Sequence, residues 1–398
     1  MKWDVIIIGG GPSGSAAAIS LAQHGVKVVL LEQRRTPRPK VCGDALLPDA
    51  IHALKTLNLL PKIHQHAYAI PYIRLSSPRG FQTSLELPVL SLARQDLDEV
   101  LLHHAQSLGV EVLDQTRAVG FDNRGRASVI VEGEMGCETL HAPIALLCTG
   151  ASTKALKCFG VPHRSSASAY AARTYGVVKG LAENTLHVWY DRTLQPGYGW
   201  AFPMGGGLFN IGIGAFADTS GNFPFNLREI WDHFVGAKSA RPSALRSVQW
   251  QGALKGAPLR TSLKGTALAR DHLLIAGEAI GTTQALTGEG IGKALECGRY
   301  AAQVALNALD SGQLSRVALS SGMQRKIAQL TPIYRGYDRL QQLVSHGWLT
   351  DALTLAARSH SGFRRALEDM LTERQTPSET ISIRGALSYL PPSFSSRR

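Results

Sequence analysis

The chain has 398 residues, 44% hydrophobic and 18% charged, with 40 glycines and 19 prolines, which excludes the disordered and fibrous classes and leaves room for about two or three structural units. Its net charge of +12 suits a phosphorylated ligand or an anionic membrane face, whereas no Lys/Arg run is interleaved with aromatics as nucleic-acid binding requires. Five scattered cysteines without Cys-x-x-Cys spacing speak against a disulfide framework or a zinc motif, and no stretch reaches the ~20 apolar residues that span a bilayer.

In chain order, residues 4–32 read as a βαβ unit: an apolar strand, a glycine turn, a helix of small residues over 13–24 closed by Gly25, and a second strand over 26–32. Such short, wholly apolar strands fit burial on both faces, as in a parallel sheet covered by helices. The turn at 37–44 leads to a helix from about Pro48 to Leu59, with His64 and His66 in a loop. A helix over 94–108, a short strand over 109–113, an alternating hairpin strand over 127–134 and a buried strand over 142–149 follow. From about Ser165 to Arg260 the texture changes to β-like runs with aromatics and glycine turns, the pattern of an inserted antiparallel sheet. The chain returns to a buried strand over 273–277 and a helix from Gly288 to about Leu309, and the tail over 315–398 reads as helical. The expected units are therefore 1–70, 94–164 and 261–310 together, 71–93 with 165–260, and a helical region over 311–398.

Gly9, Gly11 and Gly14 have Gly-x-Gly-x-x-Gly spacing directly after the first strand. That spacing permits a tight turn, lets backbone N–H groups approach a pyrophosphate and aims a helix N-terminus at its charge. Glu32 ends the second strand 18 residues past Gly14, where a carboxylate can accept both hydroxyls of an adenosine ribose and disfavours a 2′-phosphate. Ser13 in the turn, and Gln33 and Arg34 beyond Glu32, belong to the same expected dinucleotide contact. A second glycine turn after a strand carries Gly277 and Glu278, and Gly288, Gly290 and Ile291 open a helix. There a carboxylate can hold a ribityl hydroxyl while the helix end faces a flavin carbonyl edge, so FAD is the preferred dinucleotide. The expected fold is α/β with an α+β insert: a Rossmann-like FAD-binding domain, an inserted antiparallel β-sheet substrate domain and a C-terminal helical region.

These motifs, in this order, resemble the FAD-dependent oxidoreductases of the para-hydroxybenzoate hydroxylase fold, and within them the geranylgeranyl reductase group, over residues 4 to about 310. Arg94 with Leu97-Asp98 matches that family's arginine-bearing helix, and Ala118 lies where a backbone contact to adenine falls. Lys40-Val41-Cys42-Gly43-Asp44 is similar to the family's loop beside the flavin, and Tyr198-Gly199-Trp200-Ala201-Phe202-Pro203 to its Tyr-x-Trp-x-Phe-Pro substrate segment. In a strand, Tyr198, Trp200 and Phe202 alternate onto one face and form an apolar wall or ordinary core. The chain departs from the pattern at Glu278, where the family usually has Asp, and at Ala285, where it usually has Pro.

The resemblance implies reduction of C=C bonds in an isoprenoid, a geranylgeranyl lipid or prenylated quinone, by hydride transfer from FAD. Cys42 is the candidate proton donor, or else a small residue beside the flavin. The electrons would come from NAD(P)H or a reduced redox partner protein. The alternative on the same fold is a flavin-dependent monooxygenase or halogenase acting on an aromatic or polyketide natural product. No metal is expected, because His103 and His104 are adjacent on a helix and point apart. A cytoplasmic location is expected from the start Met1-Lys2-Trp3, which leads straight into a strand. Peripheral membrane contact is an option through a helical line of Leu340, Leu343, Val344, Trp348, Ala352 and Leu355, whose other reading is packing on the enzyme.

Overall fold

A computed structural model describes residues 2–134, 136–163, 167–217, 223, 226–236 and 243–380. The end of the expected helical tail, 381–398, and parts of the expected insert therefore lie outside the described residues.

Three sheets build the molecule. The first has six strands in the order 269–270, 273–275, 144–147, 5–8, 28–31 and 111–113. All neighbours are parallel except the outermost pair, Ala269–Arg270 with Leu273–Ile275. Val5–Ile8, Val28–Leu31 and Ile144–Leu147 are buried at every position, because helices cover both faces of a parallel sheet and leave no side for polar residues. The register pairs Ile8 with Leu147 and Leu147 with Ile275, so the turns after Ile8 and Ile275 leave the same sheet edge with one strand between them. Brought there, their helices Pro12–Ala22 and Ile291–Ser311 pack closely: a Cβ on Gly298 would lie 2.1 Å from the Ser13 carbonyl oxygen.

A nine-stranded sheet collects Ala45–Leu46, Tyr68–Ser76, Gln82–Ser91 and the strands between Ala169 and Leu259. It is antiparallel except where Thr185–Trp189 runs parallel to Tyr68–Ser76. The third sheet is the meander Arg117–Asp122, Ala127–Gly133 and Gly136–Ala142. The α/β class with a Rossmann-like first sheet, a mainly antiparallel second sheet and C-terminal helices is as expected.

Several local expectations need correction. The helix from Pro48 stops at Thr56 because Asn58 takes a left-handed backbone (φ 58°), and Leu60–His64 restarts around Pro61, so His64 is helical rather than in a loop. The run expected as one strand over 142–149 is divided between Gly136–Ala142 in the meander and Ile144–Leu147 in the parallel sheet, with Pro143 between them. The apolar line from Leu340 to Leu355 is two helices, Thr331–Val344 and Gly347–Ser359, separated at Ser345-His346. The Thr350 hydroxyl caps that break by donating to the Val344 carbonyl at 2.9 Å. The second helix is fixed from beneath, where Asp351 Oδ1 accepts from the Ser77 hydroxyl (2.6 Å) and the Arg79 amide (2.9 Å) of the large sheet's hairpin.

Candidate functional site

A cavity of about 690 Å³ runs from the edge of the parallel sheet to the face of the large sheet. Of the residues singled out by sequence, Gly9, Gly11, Ser13, Glu32, Gln33, Arg34, Cys42, Gly43, Arg94 and Ala118 line it, as do Tyr198, Trp200, Phe202, Glu278, Gly288, Gly290 and Ile291. Gly14 and Gly277 do not; they serve packing. A Cβ on Gly14 would fall 1.9 Å from the Gly9 carbonyl oxygen, and one on Gly277, whose φ is +70°, would fall 2.7 Å from Ser13 Cβ. Only hydrogen at these positions lets the two glycine turns approach the first helix.

At one end, Glu32 Oε2 accepts from the Gly10 amide (3.2 Å) and from Arg38 Nη2 (2.8 Å), and Oε1 accepts from the Arg34 amide (3.1 Å). Arg38 also stands 3.5 Å from Asp98, which Arg94 grips through Nε (3.0 Å) and Nη2 (2.8 Å). Buried Arg94 and part-buried Arg38 therefore lie beside the N-terminus of the Pro12–Ala22 helix, facing two carboxylates. Asp98 and its neighbouring charges hold the Arg94 guanidinium ionised against its burial. The arrangement is a cationic cradle for a pyrophosphate. Arg38, which also lines the cavity, escaped the sequence reading because its loop has no periodicity; Lys40, read there only as part of the Cys42-Gly43 loop, lines it too.

At the middle, Glu278 Oε1 accepts from the Arg260 amide (3.2 Å) and the Thr283 hydroxyl (3.3 Å), and burial pushes its carboxyl upward, opposed by Lys40. Asp44, fully buried and left-handed (φ 63°), accepts from the Tyr175 hydroxyl (2.5 Å), Asn210 Nδ2 (2.7 Å) and the Arg94 amide (3.1 Å). Asn210 Nδ2 also donates to the Cys42 carbonyl (2.8 Å), which pins the Cys42–Asp44 loop to the large sheet. Burial, then the Asp44 carboxylate, push the Cys42 thiol up, so it keeps its proton. Asp44, Tyr175 and Asn210 become one unit only through tertiary contact.

Tyr198, Trp200 and Phe202 form the far wall, with ring centroids 6.0 Å and 5.9 Å apart in sequence order. Trp200 Nε1 donates to Asn210 Oδ1 (3.0 Å), and the Tyr198 hydroxyl donates to the Thr287 carbonyl beside Gly288. A Cβ on Gly43 would stand 3.2 Å from the Phe202 ring, so the Cys42 loop lies flat against the aromatic wall. The wall thus lies against Gly43 and lines the cavity while Trp200 is buried and Tyr198 and Phe202 pack on a core cluster, and the tail adds Leu371 to the lining.

The residues present fit a long dinucleotide. The cationic cradle and helix end suit a pyrophosphate, and two lining atoms, Thr149 Oγ1 and Arg173 Nε, have no hydrogen-bond partner among the described residues. Residues 2–296 match the FAD-binding domain family.

The chain belongs to that family.

It is an FAD-dependent oxidoreductase, as the two glycine turns imply. The resemblance to the geranylgeranyl reductase group is borne out by relatives of that name. The chain is 29% identical over 333 residues to a menaquinone reductase of Mycolicibacterium smegmatis, covering 76% of each chain. It is 28% identical over 321 residues to digeranylgeranylglycerophospholipid reductase 1 of Methanopyrus kandleri, covering 79% of this chain and 83% of that one. A geranylgeranyl bacteriochlorophyll reductase-like protein of Thermoplasma acidophilum has the same fold, with a TM-score of 0.79 at 20% identity over 99% of this chain and 97% of that chain. A flavin-dependent brominase also shares the fold, with a TM-score of 0.77 at 15% identity over 97% of this chain and 98% of that chain. Among the described residues no helix is long and apolar enough to cross a membrane.

Proposed function

We propose that this oxidoreductase saturates a C=C bond of an isoprenoid, the side chain of a prenylated quinone or a geranylgeranyl lipid. The observation that carries the reading is the aromatic wall Tyr198, Trp200 and Phe202 lying against the Cys42-Gly43 loop in the same cavity as the dinucleotide cradle. An extended apolar chain is held by ring faces and aliphatic side chains without polar anchors, and Ile73, Leu75, Leu186 and Val188 continue that surface. Relatives named for reduction of menaquinone and of digeranylgeranylglycerophospholipid support it.

In this reading Gly11, Ser13, Arg38 and Arg94 hold the pyrophosphate, Glu32 the adenosine ribose, and Glu278 with Thr283 the ribityl chain. Bound FAD, once reduced by NAD(P)H or a reduced redox protein, supplies the hydride. The protein's own work is to orient the alkene across Cys42 and Gly43, exclude water with the aromatic wall, and provide a proton. Peripheral contact with the membrane in which such lipids reside belongs to the same proposal. Leu343, Trp348 and Leu355 are 37%, 66% and 43% exposed, with Arg358 beyond them.

The test is anaerobic reduction of the purified flavoprotein followed by mixing with geranylgeranyl lipids or menaquinone. Flavin reoxidation without oxygen, with a product heavier by two hydrogens, is expected. A hydroxylated or halogenated aromatic product that forms only with oxygen overturns the reading in favour of monooxygenase or halogenase chemistry.

A further inference from the structure

Behind the turn that carries Gly288 and Gly290 lies a charge cluster assembled from distant segments: Asp49 on the Pro48–Thr56 helix, Glu289 in the turn, Lys293 and Glu296 on the Ile291–Ser311 helix, and Glu373 from the tail. Lys293 Nζ is 2.6 Å from Glu373, 3.2 Å from Glu296 and 3.9 Å from Asp49, with its side chain only 2% exposed. One ammonium cannot neutralise four carboxylates, so the cluster needs a further positive charge. Asp49 Oδ2, on a side chain 6% exposed, and Glu289 Oε1 are buried without a donor among the described residues. With one ammonium for four carboxylates, a proton on Glu289 relieves the excess negative charge, and burial together with the Asp49 carboxylate pushes the Glu289 carboxyl up.

Glu289 also lines the cavity, beside Gly288 and Tyr198. Of the tyrosines around the cluster, Tyr300 donates to Glu296 (2.7 Å), and the other three have their protons engaged elsewhere: Tyr198 on the Thr287 carbonyl, Tyr334 on the Thr282 carbonyl and Tyr337 on the Met370 carbonyl (3.3 Å). Glu289 thus lines the cavity and has a buried carboxyl oxygen with no donor among the described residues.

We propose that Glu289, sharing a proton with Asp49, is the acid that protonates the substrate carbon in this cavity. The inference rests on the reductive reading above. As one alkene carbon accepts a hydride from the reduced cofactor, the π bond breaks and its electron pair forms a C–H bond at the neighbouring carbon with the Glu289 proton. The alkene gains one hydride and one proton, the cofactor loses two electrons, and Glu289 is left as a carboxylate that regains a proton from solvent. Lys293, oriented by Glu373, faces the new anion and acts as a positioning residue. Burial and the Asp49 and Glu373 carboxylates push the Glu289 carboxyl well up, opposed by Lys293, so it keeps its proton above the ordinary carboxylate range. The Cys42 thiol is the competing donor.

Infrared spectroscopy of the FAD-loaded protein tests the shared proton without turnover. A protonated-carboxyl C=O band that shifts in D2O is expected at neutral pH in the wild type, absent in Glu289→Gln and displaced or lost in Asp49→Asn. Single-turnover reaction of the reduced protein with a geranylgeranyl lipid tests the donor role. The wild-type rate should fall as pH rises through the titration of the pair. Glu289→Gln should be at least ~100-fold slower and lack that limb, while Glu289→Asp keeps a limb at a shifted pH and Cys42→Ala, slowed through its contact with the substrate, still shows the limb. No band, a band indifferent to both substitutions, or a Glu289→Gln protein with wild-type rate and pH profile overturns the proposal. A wild-type protein that shows the band yet leaves every prenyl alkene unreduced overturns the reductive reading and the donor role with it, while the shared proton stands.

Discussion

A methyl group at Gly14 and one at Gly11 should fail in different ways, and the pair tests how the first glycine turn is built. At Gly14 the new Cβ would sit 1.9 Å from the Gly9 carbonyl oxygen and 3.2 Å from the Ile7 side chain, against an ordinary contact of about 3.4 Å or more. Helix propensity alone favours alanine here by ~1 kcal/mol, because Gly14 lies in the first turn of Pro12–Ala22 with an ordinary helical backbone. Relieving the clash needs a shift of more than 1 Å in the helix or its turn, a strain of about 1–3 kcal/mol or more, which outweighs propensity. Gly14→Ala is therefore expected to lower the stability of the apoprotein and to lose FAD, because the helix end that faces the pyrophosphate has moved. At Gly11 the nearest atoms to a Cβ are Arg94 and Arg38 nitrogens at 3.9 and 4.0 Å, so the methyl group enters only the cavity. Gly11→Ala should keep apoprotein stability within about 0.5 kcal/mol and weaken FAD alone. Urea unfolding of both apoproteins and titration with FAD separate the two. A Gly14→Ala protein at least as stable as wild type, with full FAD content, would refute the packing argument.

Lys293→Met removes the one ammonium between Asp49, Glu296 and Glu373 and should cost about 3–5 kcal/mol in urea unfolding; a loss below 1 kcal/mol would mean the cluster is not buried in solution. Trp200→Ala should cost about 3–5 kcal/mol as a buried aromatic, whereas Trp200→Phe keeps most of the volume and costs about 1–3 kcal/mol by stripping Asn210 Oδ1 of its donor. If the phenylalanine variant were the worse of the two, the hydrogen bond rather than the ring would support the wall. The pH dependence has a definite sign. Glu289 is raised in the folded state, so the folded protein binds more protons than the unfolded chain; this stabilisation is complete below the ordinary carboxylate range and is lost as pH rises through the folded value. Glu289→Gln should therefore flatten the fall of the urea midpoint as pH rises above the ordinary carboxylate range, and an unchanged slope would remove the proton on Glu289.

Much of the dinucleotide end was legible because its signals are local. Apolar strand, glycine spacing and helix lie within a dozen residues, and Glu32 must end the next strand of a βαβ unit. The alternation of Tyr198, Trp200 and Phe202 likewise follows from strand geometry. Arg38 left no such trace, since its value comes from spanning Glu32 and Asp98, which sit on different elements. The apolar line in the tail hid its break for the opposite reason: Ser345-His346 divides it into two helices, and Asp351, in its midst, is spent on the hairpin through Ser77 and Arg79.

By itself the sequence determined that two glycine turns follow buried strands and open helices, because steric demands on a turn are written in the residues that make it. The tertiary structure alone decided that these turns leave one sheet edge with a single strand between them, so that one dinucleotide can touch both. It alone brought residues 49, 289, 293 and 373 into one charge cluster. Burial and charge compensation act between neighbours in space, and no periodicity along a chain records which distant residues will meet.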